Sequence, residues 1–85
     1  MKRVKYFYSN SCEACEIMTP IMESIDESGL IDIEYIDTSK DRDQVQEFFI
    51  TKIPTILVTG GDDEELSRFI GFRDEKITKG LIKLS

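Results

Sequence analysis

Cys12 and Cys15 are separated by Glu13 and Ala14, and they are the only cysteines in an 85-residue chain that contains no histidine. Three chemistries are open to such a pair. A structural zinc wants four ligands, so two thiolates would need two Asp or Glu donors or a second copy of the chain. A structural disulfide across two intervening residues closes a very short loop and removes little entropy from the unfolded chain. Dithiol exchange remains, in which one thiolate attacks a disulfide sulfur and its neighbour resolves the mixed disulfide.

That chemistry needs elements to hold it. Val4 to Tyr8 is β-branched and aromatic and ends in the turn-forming Ser9-Asn10-Ser11, which predicts a strand. Ile17, Met18, Ile21, Met22 and Ile25 recur at helical spacing until Ser28-Gly29, which predicts a helix from about Cys12 to Glu27. Ile31 to Ile36 alternates as a strand, and Val45, Phe48 and Phe49 mark a short helix that Asp41 and Gln44 could open as a capping box. After Pro54, Ile56 to Val58 and Leu66 to Ile70 flank Thr59-Gly60-Gly61-Asp62-Asp63 as a hairpin. Ile77, Leu81 and Leu84 predict a last helix after Gly71, although Gly80 costs it about 1 kcal/mol relative to Ala. The order is β-α-β-α-β-β-α. A right-handed crossover makes the first two strands parallel, and the hairpin adds antiparallel strands.

The chain is long enough for one domain over residues 1–85. Its 11 basic and 17 acidic residues give a net charge of −6, which repels phosphate backbones, and the basic residues form no dense cluster; nucleic acid is not an expected partner. Apolar runs are far short of the ~20 residues that span a bilayer, and Met1-Lys2-Arg3 leads into a strand, not a signal-peptide apolar segment. No membrane association and a cytoplasmic address are therefore the expectations.

Four features, in this order of elements, resemble the thioredoxin superfamily over essentially the whole chain. Cys12-Glu13-Ala14-Cys15 follows the first strand and opens a helix. Pro20 lies five residues after the second cysteine, where the family carries a helix-kinking proline. Lys52-Ile53-Pro54-Thr55-Ile56-Leu57 resembles the family's Ile-Pro-Thr segment with its cis proline, and Gly71 follows the hairpin as the family's glycine does. The resemblance implies an α/β thioredoxin fold, with a four-stranded mixed sheet flanked by helices, and a thiol–disulfide oxidoreductase that reduces protein disulfides. The helix N-terminus favours a thiolate at Cys12, which makes it the nucleophile, and Cys15 one turn on is the resolver. No bound cofactor or metal is implied beyond the redox-active Cys12–Cys15 disulfide. Ile53, before a cis Pro54, would offer its backbone to a substrate strand. Tyr8 and Phe72 are core residues or border the substrate groove. Implied partners are disulfide-containing proteins and a flavin-dependent thioredoxin reductase as electron donor; a short acidic chain with an exposed active site is expected to be a monomer.

Departures keep alternatives open. Where thioredoxins carry a buried Asp six residues before the first cysteine, this chain has Tyr6; Ser11 replaces a Trp, and Glu13-Ala14 replaces Gly-Pro. Glu13 either forms a capping box with Asn10 or opposes the Cys12 thiolate and raises its pKa. Pro20 either kinks one helix or divides two. The short length resembles glutaredoxin, with glutathione as cosubstrate, but Gly60-Gly61-Asp62-Asp63 falls at the hairpin turn instead of before the last helix. In that place stands Gly71-Phe72-Arg73-Asp74, whose Arg73 could meet a glutathione carboxylate. A third reading is a binding module whose cysteines are incidental or bridge a metal with a second copy.

Overall fold

The computed structural model describes residues 2–85 and contains β1 (Arg3–Tyr8), α1 (Glu13–Glu27), β2 (Ile33–Asp37), α2 (Arg42–Glu47), β3 (Thr55–Thr59), β4 (Glu65–Ile70) and α3 (Glu75–Leu84). The strands form one sheet in the order β2-β1-β3-β4, with β1 parallel to β2 and the other pairs antiparallel. The fold is thus the thioredoxin arrangement anticipated from the resemblance. β1 and β3 are central and almost wholly buried, because α1 and α3 cover one face and α2 the other.

Alternation along β1 builds both cores. Val4 and Tyr6 join Met18, Met22, Ile25, Ile56, Val58 and Ile82 on the α1 face; Phe7 joins Ile36, Phe48 and Leu57 on the α2 face. Lys5 shares that second face although it is charged and only 7% exposed. Its ammonium donates to Glu34 Oε1 (2.9 Å) and Gln44 Oε1 (2.8 Å) and lies 5.4 Å from the centre of the Phe48 ring. Those bonds satisfy a charge that would be costly to bury unpaired. The bond from Lys5, followed by that from Gln44, holds Glu34 below the usual carboxylate range.

Several expectations shift in detail. β2 begins at Ile33, two residues later than the alternation suggested. α1 is one continuous helix through Pro20, which removes the reading of two separate pieces. Its buried stripe is Cys15, Met18, Met22 and Ile25, so Ile17 falls outside it and is 57% exposed. In α3 the buried face is Thr78 and Ile82, one position on from the expected Ile77, Leu81 and Leu84; Ile77 and Leu84 face water. Thr78 tolerates burial because its hydroxyl donates to the Arg73 carbonyl at 3.4 Å. The Asp41 side chain caps α2 by accepting from Gln44 N at 3.2 Å, and Gln44 Nε2 returns a bond to the same carboxylate at 2.8 Å. Thr59-Gly60-Gly61-Asp62-Asp63 does make the β3–β4 turn, closed by Gly60 N donating to Glu64 O at 2.9 Å. Asp63 adopts φ 59° there, a left-handed conformation that Asp accepts more readily than most residues.

Candidate functional site

The two cysteines meet where β1 delivers the chain to α1. Ser9-Asn10-Ser11 turns it, with Cys12 N donating to Ser9 O at 3.4 Å, and Cys12 becomes the N-cap of α1 in an extended conformation. Its Sγ accepts from Cys15 N at 3.2 Å, which gives one of the unsatisfied amides of the first turn a partner. The Asn10–Glu13 capping box is therefore not formed: sulfur holds the cap position, and Glu13 is the first helical residue after it. Cys12 and Cys15 are joined as a disulfide, with their Cα atoms 5.2 Å apart. They differ in access, Cys12 being half-buried and Cys15 1% exposed. Only the first offers a sulfur to an incoming partner.

A second segment reaches the same point from β3. Thr55 Oγ1 donates to the Lys52 carbonyl at 2.5 Å and closes the turn Lys52-Ile53-Pro54-Thr55, whose Ile53–Pro54 peptide is cis. The Ile53 carbonyl oxygen lies 4.0 Å from Cys12 Sγ. Gly71 N donates to the Pro54 carbonyl at 2.9 Å, which ties the end of the hairpin to this turn and places the half-exposed Phe72 next in the chain. Gly71 takes φ +95°, a value a side-chain-bearing residue adopts only under strain. Cys12 thus lies beside Ile53, and the turn that carries Ile53 and Pro54 is tied to Gly71.

Tyr8 stands elsewhere. It packs against the α1-face core and stacks on Tyr6 at 5.6 Å, whereas Ile53 packs into the α2-face cluster. Tyr8 borders a groove of about 370 Å³ behind α1, shared with Ser9, Asn10, Cys15, Glu16, Thr19 and Pro20. Composition and spacing did not single out Glu16 or Thr19, yet Thr19, four residues after Cys15, shares its helix face. Tyr6 is fully buried beneath this turn, its hydroxyl 2.8 Å from Thr19 Oγ1 and donating to the Cys15 carbonyl at 3.5 Å. Burial raises the Tyr6 phenol above its ordinary value, only partly offset by the Thr19 bond. Further along, Tyr35 donates to Asp26 Oδ2 at 3.2 Å and is pushed up to about 12, chiefly by burial and then by the Asp26 charge.

The arrangement is one accessible sulfur at a helix N-terminus, a buried sulfur one turn later, and a free peptide carbonyl alongside. Such a site can exchange disulfides with an extended polypeptide. Among the described residues no group of three or more Cys, Asp or Glu side chains converges on a metal position, and no helix is long and apolar enough to cross a membrane.

Known proteins share both sequence and architecture with this chain. The family profile Thioredoxin matches residues 2–83. A thioredoxin from Borreliella burgdorferi is 30% identical over 79 residues, which span 91% of this chain and 67% of that protein. A mutant thioredoxin from Halobacterium salinarum superposes with a TM-score of 0.88 at 23% identity, over 98% of this chain and 73% of the other. Fasciola hepatica thioredoxin gives 0.86 at 21% identity, over 98% and 79% respectively. At those identities the two structures speak to the fold, and the profile and the bacterial relative to the family.

Proposed function

The chain belongs to the thioredoxin family and is a protein disulfide oxidoreductase, and from that premise we propose that it reduces disulfides in other proteins through Cys12 and Cys15. In the reduced chain the Cys12 thiolate attacks a substrate disulfide; one substrate sulfur leaves as a thiolate, and the other becomes bonded to Cys12. The Cys15 thiolate then attacks Cys12 Sγ, forms the Cys12–Cys15 bond and releases the second substrate sulfur. The substrate gains two electrons and the chain loses them. Ile53 supports the substrate as an added strand through its carbonyl, held in place by Pro54 and by the Gly71 contact, with Phe72 bordering the approach. Tyr8 is not assigned to that groove.

The observation that carries this reading is the asymmetry of the pair: Cys12 half-exposed at the helix cap and beside a peptide acceptor, Cys15 buried behind it. A flavin-dependent thioredoxin reductase is the proposed electron donor. Glutathione is less well supported, because Asp74 already fills the N-terminus of α3 with a carboxylate, and Arg73 is engaged with the Ile70 carbonyl at 3.2 Å and the Phe69 ring. Two variants and one potential test the proposal. Cys12→Ser should abolish reduction of a disulfide-bonded protein, whereas Cys15→Ser should accumulate the mixed disulfide, seen as a mass adduct. Equilibration of the wild-type chain with thiol buffers should give a potential near the thioredoxin figure of about −270 mV; a value near −200 to −230 mV would favour glutathione-coupled exchange. Failure to close the Cys12–Cys15 disulfide would overturn the proposal.

A further inference from the structure

The segment that brings Ile53 beside Cys12 leaves α2 through a residue in an uncommon conformation. Phe49 has φ 53°, in the left-handed region that glycine enters freely and a bulky side chain enters at a cost. Packing of its ring does not hold it there, since Phe49 is 79% exposed. The amides around it are bonded within the helix end, Phe49 N donating to Gln46 O at 3.3 Å and Ile50 N to Val45 O at 2.9 Å. The Phe48 and Phe49 carbonyls accept instead from one side chain on the edge strand: Arg68 Nη2 donates to Phe48 O at 2.5 Å, and Nη1 to Phe49 O at 3.2 Å. Arg68 lies opposite Leu57 in the β3–β4 pair and so shares its α2 face. Glu65, three residues back on β4, accepts from Arg68 Nε at 3.1 Å and from Nη2 at 2.9 Å, which orients the fork. The bond from Arg68 holds the Glu65 carboxyl below the usual carboxylate range, and the pair stays ionised near neutral pH.

We propose that Arg68 is a positioning residue for protein substrates: its fork across the Phe48 and Phe49 carbonyls fixes the left-handed exit from α2, and that exit sets where the chain delivers the Ile53 carbonyl. The inference rests on the exchange reading above and on the strand-docking role given there to Ile53. Ile53 follows Phe49 by four residues, and both Ile50 and Ile53 pack on the cluster that contains Phe48 and Leu57. A shift at the exit is therefore passed to the turn, because no long loop intervenes to absorb it. The bonds of the Arg68 side chain go to Phe48, Phe49 and Glu65, and none goes to either cysteine. It acts on docking of the substrate and leaves the electron transfer to the sulfurs. The role suits arginine because a planar guanidinium presents several N–H groups in one fixed plane, enough for two carbonyls and a carboxylate together. A lysine ammonium, with its donors on a single atom, cannot span all three in this geometry.

Two disulfides of different size separate docking from chemistry. Initial rates of insulin reduction, with dithiothreitol in excess as reductant, give KM and kcat for a polypeptide substrate. Arg68→Gln should raise KM by about three- to ten-fold, the factor to which the net worth of one or two hydrogen bonds converts, with kcat near the wild-type value. Reduction of the small aromatic disulfide dithiobis(nitrobenzoate), which has no strand to dock, should keep its wild-type rate. A general folding defect would instead slow both substrates through kcat. Arg68→Lys keeps the charge and should show the same rise in smaller measure, and it carries the test if Arg68→Gln does not fold. Glycine takes φ 53° without the cost, so in a Phe49→Gly background the Arg68→Gln change should raise KM by less. An unchanged KM in the folded Arg68 variants, an equal loss on the small disulfide, or an undiminished effect in the Phe49→Gly background would each overturn the proposal. A wild-type chain that reduces the small disulfide and not insulin would instead defeat the exchange reading beneath it.

Discussion

Sulfur at a helix cap takes the place of the hydroxyl or carboxylate usual there, and at Cys12 it does so with a carboxylate next in the chain. The amides of the first turn favour a thiolate, while Glu13, exposed and fixed as the first residue of α1, opposes it. The opposition is screened by water, so its size is modest. Glu13→Gln should lower the Cys12 thiol pKa, measured by thiolate absorbance in a Cys15→Ser background. An unchanged titration would mean that the cap amides alone set the thiol. The cysteines could be read from spacing, because chemistry limits what a lone Cys-x-x-Cys can do without histidine. The role proposed for Ile53 came from the resemblance, and its carbonyl oxygen lies 4.0 Å from Cys12 Sγ. Tyr8 could not be placed, since an aromatic residue at a strand end is equally suited to core and rim. It faces the groove behind α1, with Cys15, and packs away from Ile53.

Helix starts were legible in part: the spacing of Asp41 and Gln44 marked that of α2, whereas Asp74 at the start of α3 was not singled out. Asp41 and Asp74 each accept from the amide three residues on, Gln44 N at 3.2 Å and Ile77 N at 2.9 Å. Asp74→Ala should lower stability to urea by about 1 kcal/mol, whereas Asp74→Asn, which keeps the acceptor, should lose less than half as much. Equal losses in both would show that the charge acts on the helix dipole more than the oxygen acts as a cap. Helix faces were harder to read. Ile77, Leu81 and Leu84 fit a helical stripe, yet α3 turns Thr78 and Ile82 inward, and a count of apolar residues gives Thr78 no weight. The Arg73 carbonyl that accepts from the Thr78 hydroxyl lies five residues back, across the helix start, where no periodicity registers it. Lys5 hides in the same way. Its partners Glu34 and Gln44 sit on β2 and α2, distant in sequence, so a buried ammonium inside a strand could not be anticipated.

The order of elements was legible because every connection is short and the crossover has one favoured hand, and those rules make β1 and β2 parallel without fixing the strand order β2-β1-β3-β4. What they do not show is how unequally the two layers are held. The α1 face has two helices, of 15 and 10 residues, over its core; the α2 face has one helix of six residues, none of them buried. So short a helix does not persist without tertiary anchorage. Here the anchor is Phe48, the C-cap residue, 8% exposed and tilted against Phe7 at 6.4 Å, with its carbonyl accepting from Arg68 at 2.5 Å. Phe48→Ala should therefore cost about 3–4 kcal/mol in urea denaturation, a large share of the ~5–15 kcal/mol that holds a domain of this kind together. Amide exchange should accelerate most over residues 42–53, because α2 and the half-buried Ile53 depend on that cluster. The Cys12–Cys15 couple sits on α1, against the other layer, so its reduction potential should stay within about 30 mV of wild type. Turnover of protein disulfides should nevertheless fall, since the segment that presents the Ile53 carbonyl is loosened while the sulfurs are not. A larger change in potential would mean that the α2 layer tunes the dithiol itself, and unchanged turnover would mean that Ile53 needs no support from Phe48.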